Sequence, residues 1–266
     1  MSSFHPLIQS PPRTTSFGAG IIALDIVILS IVFFSRTVEL WAALISLLLA
    51  ALSMRPSDAQ ALHLTLFTAA LITAACLRPP LRSWPYGLLI PISCYCAAVL
   101  IFPRLRTSIL WMHFGYFSKK TALLVSVIAL LSGFALWIWY VLLKPDLTVQ
   151  LGHMPNMPAW FLPIVGITFA ASNAAVEEFV FRGVIMQALD SAAGPGIISV
   201  IFQGWLFGAM HYREGFPKGG WGTAMTLVYG LLLGGIRRHS QGMLAPWVAH
   251  VIADLVIFAI LSVLVL

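Results

Sequence analysis

The sequence predicts an all-α polytopic membrane protein: a bundle of eight or nine transmembrane helices whose last four enclose a polar intramembrane cavity. Three observations predict it. Of 266 residues, 60% are hydrophobic and only 9% are charged, where a soluble domain carries about 25% charged residues. Apolar runs long enough, or nearly long enough, to cross the hydrocarbon core follow one another along the chain. Lys and Arg collect in the short connections between those runs. The formal charge of +6 therefore reads as topology, and the absence of a clustered basic face argues against a nucleic-acid partner.

Taken in order, the apolar runs lie near 17–35, 38–54, 60–77, 85–102, 121–143, 159–189, 196–211, 221–236 and 242–265. They are separated at Arg36, at 55–58, at 78–80, at 103–120, at 144–158, at 194–196, at 212–220 and at 237–242, mostly by the Pro and Gly that punctuate helices. The second, third and eighth runs are short, hence a count of eight or nine. The Pro- and Ser-rich stretch before the first run lacks a small-residue cleavage site, so that run is expected to be a retained anchor. With nine spans and a cytoplasmic N-terminus, Arg13, Arg55, Arg104, Arg106, Lys119, Lys120, Arg237 and Arg238 fall on the cytoplasmic side. Arg36, Arg78, Arg82, Lys144, Arg213 and Lys218 fall opposite, and the excess favours this orientation. Cys76, Cys94 and Cys96 have neither redox nor zinc spacing and read as small buried apolar residues.

Two parts differ in character. Residues 1–150 read as scaffold spans, uncharged inside except for Asp25, which is expected to be a satisfied structural acid. Residues 151–266 keep Glu, Arg, His and Asp within apolar runs and read as the working core. Glu177, Glu178 and Arg182 lie within six residues of one another, although each mid-membrane charge costs roughly 2.5–3.5 kcal/mol on insertion scales. Glu178 and Arg182, four apart, share a helix face and can neutralise one another. Glu177 points about 100° away from Glu178 and is left for chemistry.

His211 closes the run before it, and His250 and Asp254 stand four apart on the final span. Counted from the connections at 190–195 and 237–242, Glu177, His211, His250 and Asp254 lie about 20, 22, 12 and 18 Å deep at 1.5 Å per residue. Groups on three helices thus reach similar levels, as a buried hydrolytic site requires. His5, His113, His153 and His239 fall in the tail or connections and read as solvated or interfacial, and His63 as structural. Arg213, Glu214 and Lys218 read as a solvated loop that could shape an entrance. Gly204 with Gly208, and Gly230 with Gly234, have the spacing that lets helices approach closely.

The series Glu177-Glu178-x-x-x-Arg182, Phe207-x-x-x-His211 and His250-x-x-x-Asp254, in that order on separate hydrophobic segments, resembles the CAAX prenyl endopeptidase and bacteriocin-processing (CPBP, or Abi) family of intramembrane proteases. The resemblance covers about residues 155–266. It implies that Glu177 activates a water as general base, with His211 helping to hold or deprotonate it. His250 and Asp254 would stabilise the oxyanion and orient the carbonyl, and Glu178 and Arg182 would fix the helix and the carboxylate geometry. It implies hydrolysis of a membrane-associated protein or peptide, namely a prenylated C-terminus, a leader peptide or a C-terminal sorting signal, in a prokaryotic inner membrane. No cofactor is favoured, because the chain lacks a His-Glu-x-x-His pair. Were zinc used, Glu177, His211 and His250 would hold it. Two other readings stand beside this one. A non-catalytic immunity or assembly partner of the same family would lose catalytic positions, yet all are filled. An ion-coupled transporter would favour an inverted repeat, and the first half carries no matching polar motif.

Overall fold

The computed structural model describes residues 11–55, 57–76, 85–152, 154 and 157–265. The described residues form helices and no strands, as expected. In order these are α1 (Ser16–Phe34), α2 (Glu39–Leu52), α3 (Ala59–Cys76), α4 (Tyr86–Ile101), α5 (Pro103–Ser108), α6 (Lys119–Leu143) and α7 (Thr148–Gly152). A 3-10 turn (Ala159–Phe161) leads into α8 (Leu162–Glu178), a π-helical segment (Phe179–Ile185) and α9 (Met186–Ala193). Helices α10 (Ile197–Met210), α11 (Gly219–Ser240) and α12 (Leu244–Val265) follow.

Among the described residues six helical runs are long and apolar enough to cross a membrane, and α2, α4 and α10 are apolar but shorter. The long runs include 18 residues at α3 and 22 at α11, where the sequence read short spans. Conversely α4 has 16 residues and α10 has 14, shorter than their apolar stretches. The helices present large apolar side chains outward, Trp41 at 67%, Leu100 at 69% and Leu130 at 72% exposure among them. A surface of that kind is stable against lipid and not against water. The chain is an integral, multi-pass membrane protein.

The residues cluster into two units that interleave along the chain: 1–112 with 180–231, and 113–179 with 232–266. In the first unit, Thr15 caps α1 by accepting from the Gly18 amide at 3.1 Å. Asp58, just before α3, accepts from Thr14 Oγ1, Thr15 Oγ1 and the Thr15 amide at 2.7, 2.8 and 3.0 Å. A Cβ at Gly18 would collide with this carboxylate, so glycine admits the clasp. Burial pushes the Asp58 carboxyl up, but the Thr14 and Thr15 bonds and the Arg55 charge outweigh it, and the group sits below its ordinary value.

Deeper in that unit a neutral network joins α3, α4, α5 and α9. Gln187 Nε2 donates to Gln60 Oε1 at 2.6 Å and to the Ser108 carbonyl at 3.1 Å, while its Oε1 accepts from the Leu110 amide at 2.7 Å. Gln60 Nε2 also reaches the Ser108 carbonyl at 2.8 Å. His63 lies 2.6 Å from Tyr95 Oη through Nδ1 and 3.2 Å from the Leu105 carbonyl through Nε2. The carbonyl only accepts, so Nε2 carries the proton and Tyr95 donates to Nδ1. The structural reading of His63 fits this network. The expected close glycine packing is present: a Cβ on Gly204 would stand 2.9 Å from Leu231, and one on Gly230 would stand 3.0 Å from the Gly204 Cα.

Some expectations fail. Asp25 is fully buried, yet neither carboxyl oxygen has a hydrogen-bond partner among the described residues, so it is not a satisfied acid. Cys94 is exposed, and Cys76 and Cys96 are half-buried, because α4 and the end of α3 turn those positions outward. Glu214 is exposed as expected and pairs with Arg36 at 2.6 Å, while the half-buried Arg213 comes within 3.9 Å of Glu39. His239 is exposed but lies in the last turn of α11, not in a connection, because the helix runs on to Ser240; His113 is half-buried in a connection. The Arg237 charge and burial hold the His113 imidazole below its ordinary value, burial being the larger effect. The expectations at His5, Arg78, Arg82 and His153, and for the first ten residues, fall outside the described residues.

Candidate active site

In the second unit the site is built where α8 packs on α12. Gly166, Ala170 and Ala174 form a buried small-residue stripe at four-residue spacing on α8. A Cβ at Gly166 would fall 2.6 Å from the Phe258 ring of α12, so the glycine sets how near α12 comes. Trp247 Nε1 donates to the Ala171 carbonyl at 3.1 Å and fixes the two helices along their axes. The start of α12 is pinned by a backbone crossing. The Tyr116 amide donates to the Ser240 carbonyl at 2.8 Å and the Met243 amide to the His113 carbonyl at 2.9 Å, with Gly115 (φ 78°) against Gly242 between them.

These contacts bring Glu177, Glu178, His250 and Asp254 together, all at 8% exposure or less. His250 Nδ1 stands 2.8 Å from Glu178 Oε1. That carboxylate accepts the Nδ1 proton and fixes the ring, leaving Nε2 to face the other two acids. Glu177 Oε2 lies 3.5 Å and Asp254 Oδ1 lies 3.8 Å from Nε2. Both distances exceed a direct hydrogen bond, and groups so spaced suit a small molecule held between them. A further residue, passed over in the sequence reading, joins them: Asn173 Nδ2 donates to Asp254 Oδ2 at 3.0 Å and to Glu177 Oε1 at 3.4 Å. It is uncharged, and the one signal that could have found it is its position one helical turn before Glu177.

His211 and Arg182 belong to the first unit and are described there. The helical run carrying Glu177 and Glu178 changes at Phe179 into the π-helical segment that holds Arg182, a backbone irregularity enriched at functional sites. Gly183 in that segment admits the Trp111 ring, which a Cβ would approach to 2.9 Å. The Arg182 guanidinium is 1% exposed and lies 4.6 Å from the centroid of the Phe207 ring, a cation–π contact on a residue of the second motif. Phe207 also serves His211. The His211 Nδ1 lies 2.8 Å from the Phe207 carbonyl; since that oxygen accepts, Nδ1 carries a proton. Gly215 (φ 87°) crosses the same imidazole, where a Cβ would stand 2.7 Å from Cδ2. Alanine there would push the ring aside.

Among the described residues no three His, Cys, Asp or Glu side chains are grouped so as to hold one metal ion. Neither the curated proteins nor the solved structures gave a match to this chain. Residues 158–256, a little over a third of the chain, match the family model described as Type II CAAX prenyl endopeptidase Rce1-like. Asn173, Glu177, Glu178, Arg182, His211, His250 and Asp254 all fall inside the matched stretch.

Proposed function

We propose that the chain is an intramembrane endopeptidase that hydrolyses a peptide bond in a membrane-associated precursor, using a water activated by Glu177. The single observation that carries this reading is the arrangement of Glu177 Oε2 and His250 Nε2, 3.5 Å apart in a buried site on two membrane helices, within the stretch that matches an endopeptidase family. Glu177 takes a proton from the water as its oxygen attacks the carbonyl carbon, and returns that proton to the departing amine. The protonated imidazole of His250, held by Glu178, donates through Nε2 to the oxyanion. Asp254 faces the same nitrogen and supports its charge. His211, its Nδ1 directed to the Phe207 carbonyl, takes the role of helping to hold or deprotonate the water. Arg182 supports the carboxylates through the helix that carries them.

The substrate is a prenylated C-terminus, a leader peptide or a C-terminal sorting signal, and the name of the matched family favours the first. A prokaryotic inner membrane with a cytoplasmic N-terminus is the setting favoured by the motif resemblance and the Lys/Arg bias. Cells carrying wild type or Glu177→Ala are compared by mass spectrometry of terminal peptides from membrane and exported proteins. A precursor left uncut only in the variant identifies substrate and bond. Equal processing by both proteins, at equal abundance, overturns the reading and leaves the partner or transporter. The proposed step needs no metal, so a strong chelator leaves cleavage unchanged; loss restored by Zn²⁺ would replace the mechanism with a metal-dependent one.

A further inference from the structure

Resting on the endopeptidase reading, we infer that Asn173 is a positioning residue: its single amide nitrogen ties the carboxylate of Glu177 to that of Asp254 and turns Glu177 Oε2 toward His250. The two acids stand on different helices and carry like charge, so nothing in either draws them together. Asn173 Nδ2 lies 3.0 Å from Asp254 Oδ2 and 3.4 Å from Glu177 Oε1. Both partners are acceptors when ionised, which puts the nitrogen and not the amide oxygen on this side. A primary amide has two hydrogens on one atom and can serve both carboxylates at once; a hydroxyl has one.

The geometry divides the oxygens cleanly. Each acid gives Asn173 one oxygen, Oε1 of Glu177 and Oδ2 of Asp254, and presents the other, Oε2 and Oδ1, to His250 Nε2. Rotating either carboxylate toward solvent would break its bond to the amide. Asn173 itself is half-buried while both acids are buried. Its place one turn before Glu177 on α8 makes the tie between helices as short as an asparagine allows.

Substitution separates this role from simple packing. Asn173→Asp preserves the shape and removes both donors, placing a third acceptor against two others. A residue that only fills space would tolerate it. On this inference kcat falls about 100-fold with KM unchanged, the order expected when a reacting group loses its alignment. The exchange Asn173→Asp/Asp254→Asn rebuilds the amide-to-carboxylate bond between 173 and 254 in the opposite direction but still leaves Glu177 Oε1 facing an acceptor, so kcat stays low. Peptide release by purified protein in lipid vesicles gives kcat and KM, with thermal unfolding confirming that each variant is folded. Infrared difference spectra with labelled carboxyl carbons read the same bonds without any substrate: the carboxylate bands of the wild type shift in Asn173→Asp, and the exchange moves the spectrum again by creating a new carboxylate–amide pair. Wild-type kcat in Asn173→Asp, or wild-type kcat in the exchange, overturns the inference. Should no peptide be cleaved by wild type, the endopeptidase reading falls alone, and unshifted carboxylate bands in Asn173→Asp would then remove the tie as well.

Discussion

Two buried polar clusters in this molecule are built on opposite terms. The network of Gln60, His63, Tyr95, Ser108 and Gln187 is neutral, and its donors and acceptors match at 2.6–3.2 Å. The cluster of Asn173, Glu177, Glu178, His250 and Asp254 gathers three acids about one imidazole, and two of its approaches stop at 3.5 and 3.8 Å. A matched network rigidifies what it joins and has nothing left to offer a ligand. A cluster with surplus acceptors and open spacings is expensive in a low dielectric and is kept where chemistry uses it. On the proposed function, the difference separates structural from functional polarity within a single membrane protein.

The largest effect that would test this difference is on the acid cluster. Glu178→Gln keeps the size but removes the carboxylate charge that holds His250 as an imidazolium and so weakens its donation to the oxyanion; kcat is expected to fall about 10²–10⁴-fold with little change in thermal midpoint. Activity near wild type in a folded Glu178→Gln protein would mean that His250 is oriented by something else. Gln187→Ala inverts the pattern. It strands the Leu110 amide and Gln60 Oε1, and unfolding in detergent should show a loss of about 1–3 kcal/mol with kcat unchanged. A Gln187→Ala protein of normal stability and reduced kcat would erase the distinction. The smallest effect lies at the Asp58 clasp. Its carboxyl sits below the ordinary value when folded, so its contribution to stability is present above the unfolded pKa and disappears as pH falls through the folded one. The thermal midpoint of wild type should therefore exceed that of Asp58→Asn at neutral pH, and the gap should close in acid; a gap independent of pH would remove the carboxylate from the explanation.

Charge in apolar sequence was the legible signal. Glu177, Glu178, Arg182, His211, His250 and Asp254 stand out because ionisable groups are rare in spans, and the all-helical class follows from the same composition. What escaped was anything carried by long-range pairing or by neutral groups. Helical spacing sets Arg182 beside Glu178 but says nothing of the histidine 72 residues further on that meets Glu178 Oε1; local periodicity is blind to such partners. Asn173 carries no charge and drew no notice. The π-helical segment has no sequence signature, and the lengths of α4 and α10 depend on where helix gives way to turn, which hydropathy does not register. The division at residue 150 describes polarity along the chain, while the two packed units alternate along it, since a helix packs on any face that fits, near or far in sequence.

The bond from His250 to Glu178 also bears on how the chain enters the membrane. During synthesis the helix bearing Glu177 and Glu178 is complete some 70 residues before the imidazole that joins them. Two carboxyl groups must therefore wait in or beside the insertion machinery, at roughly 2.5–3.5 kcal/mol each if left in lipid, until α12 arrives. A chain stopped before residue 250 holds an acid pair with no imidazole to orient. On the proposed function, the arrival of α12 is the step that gives the acid pair its imidazole.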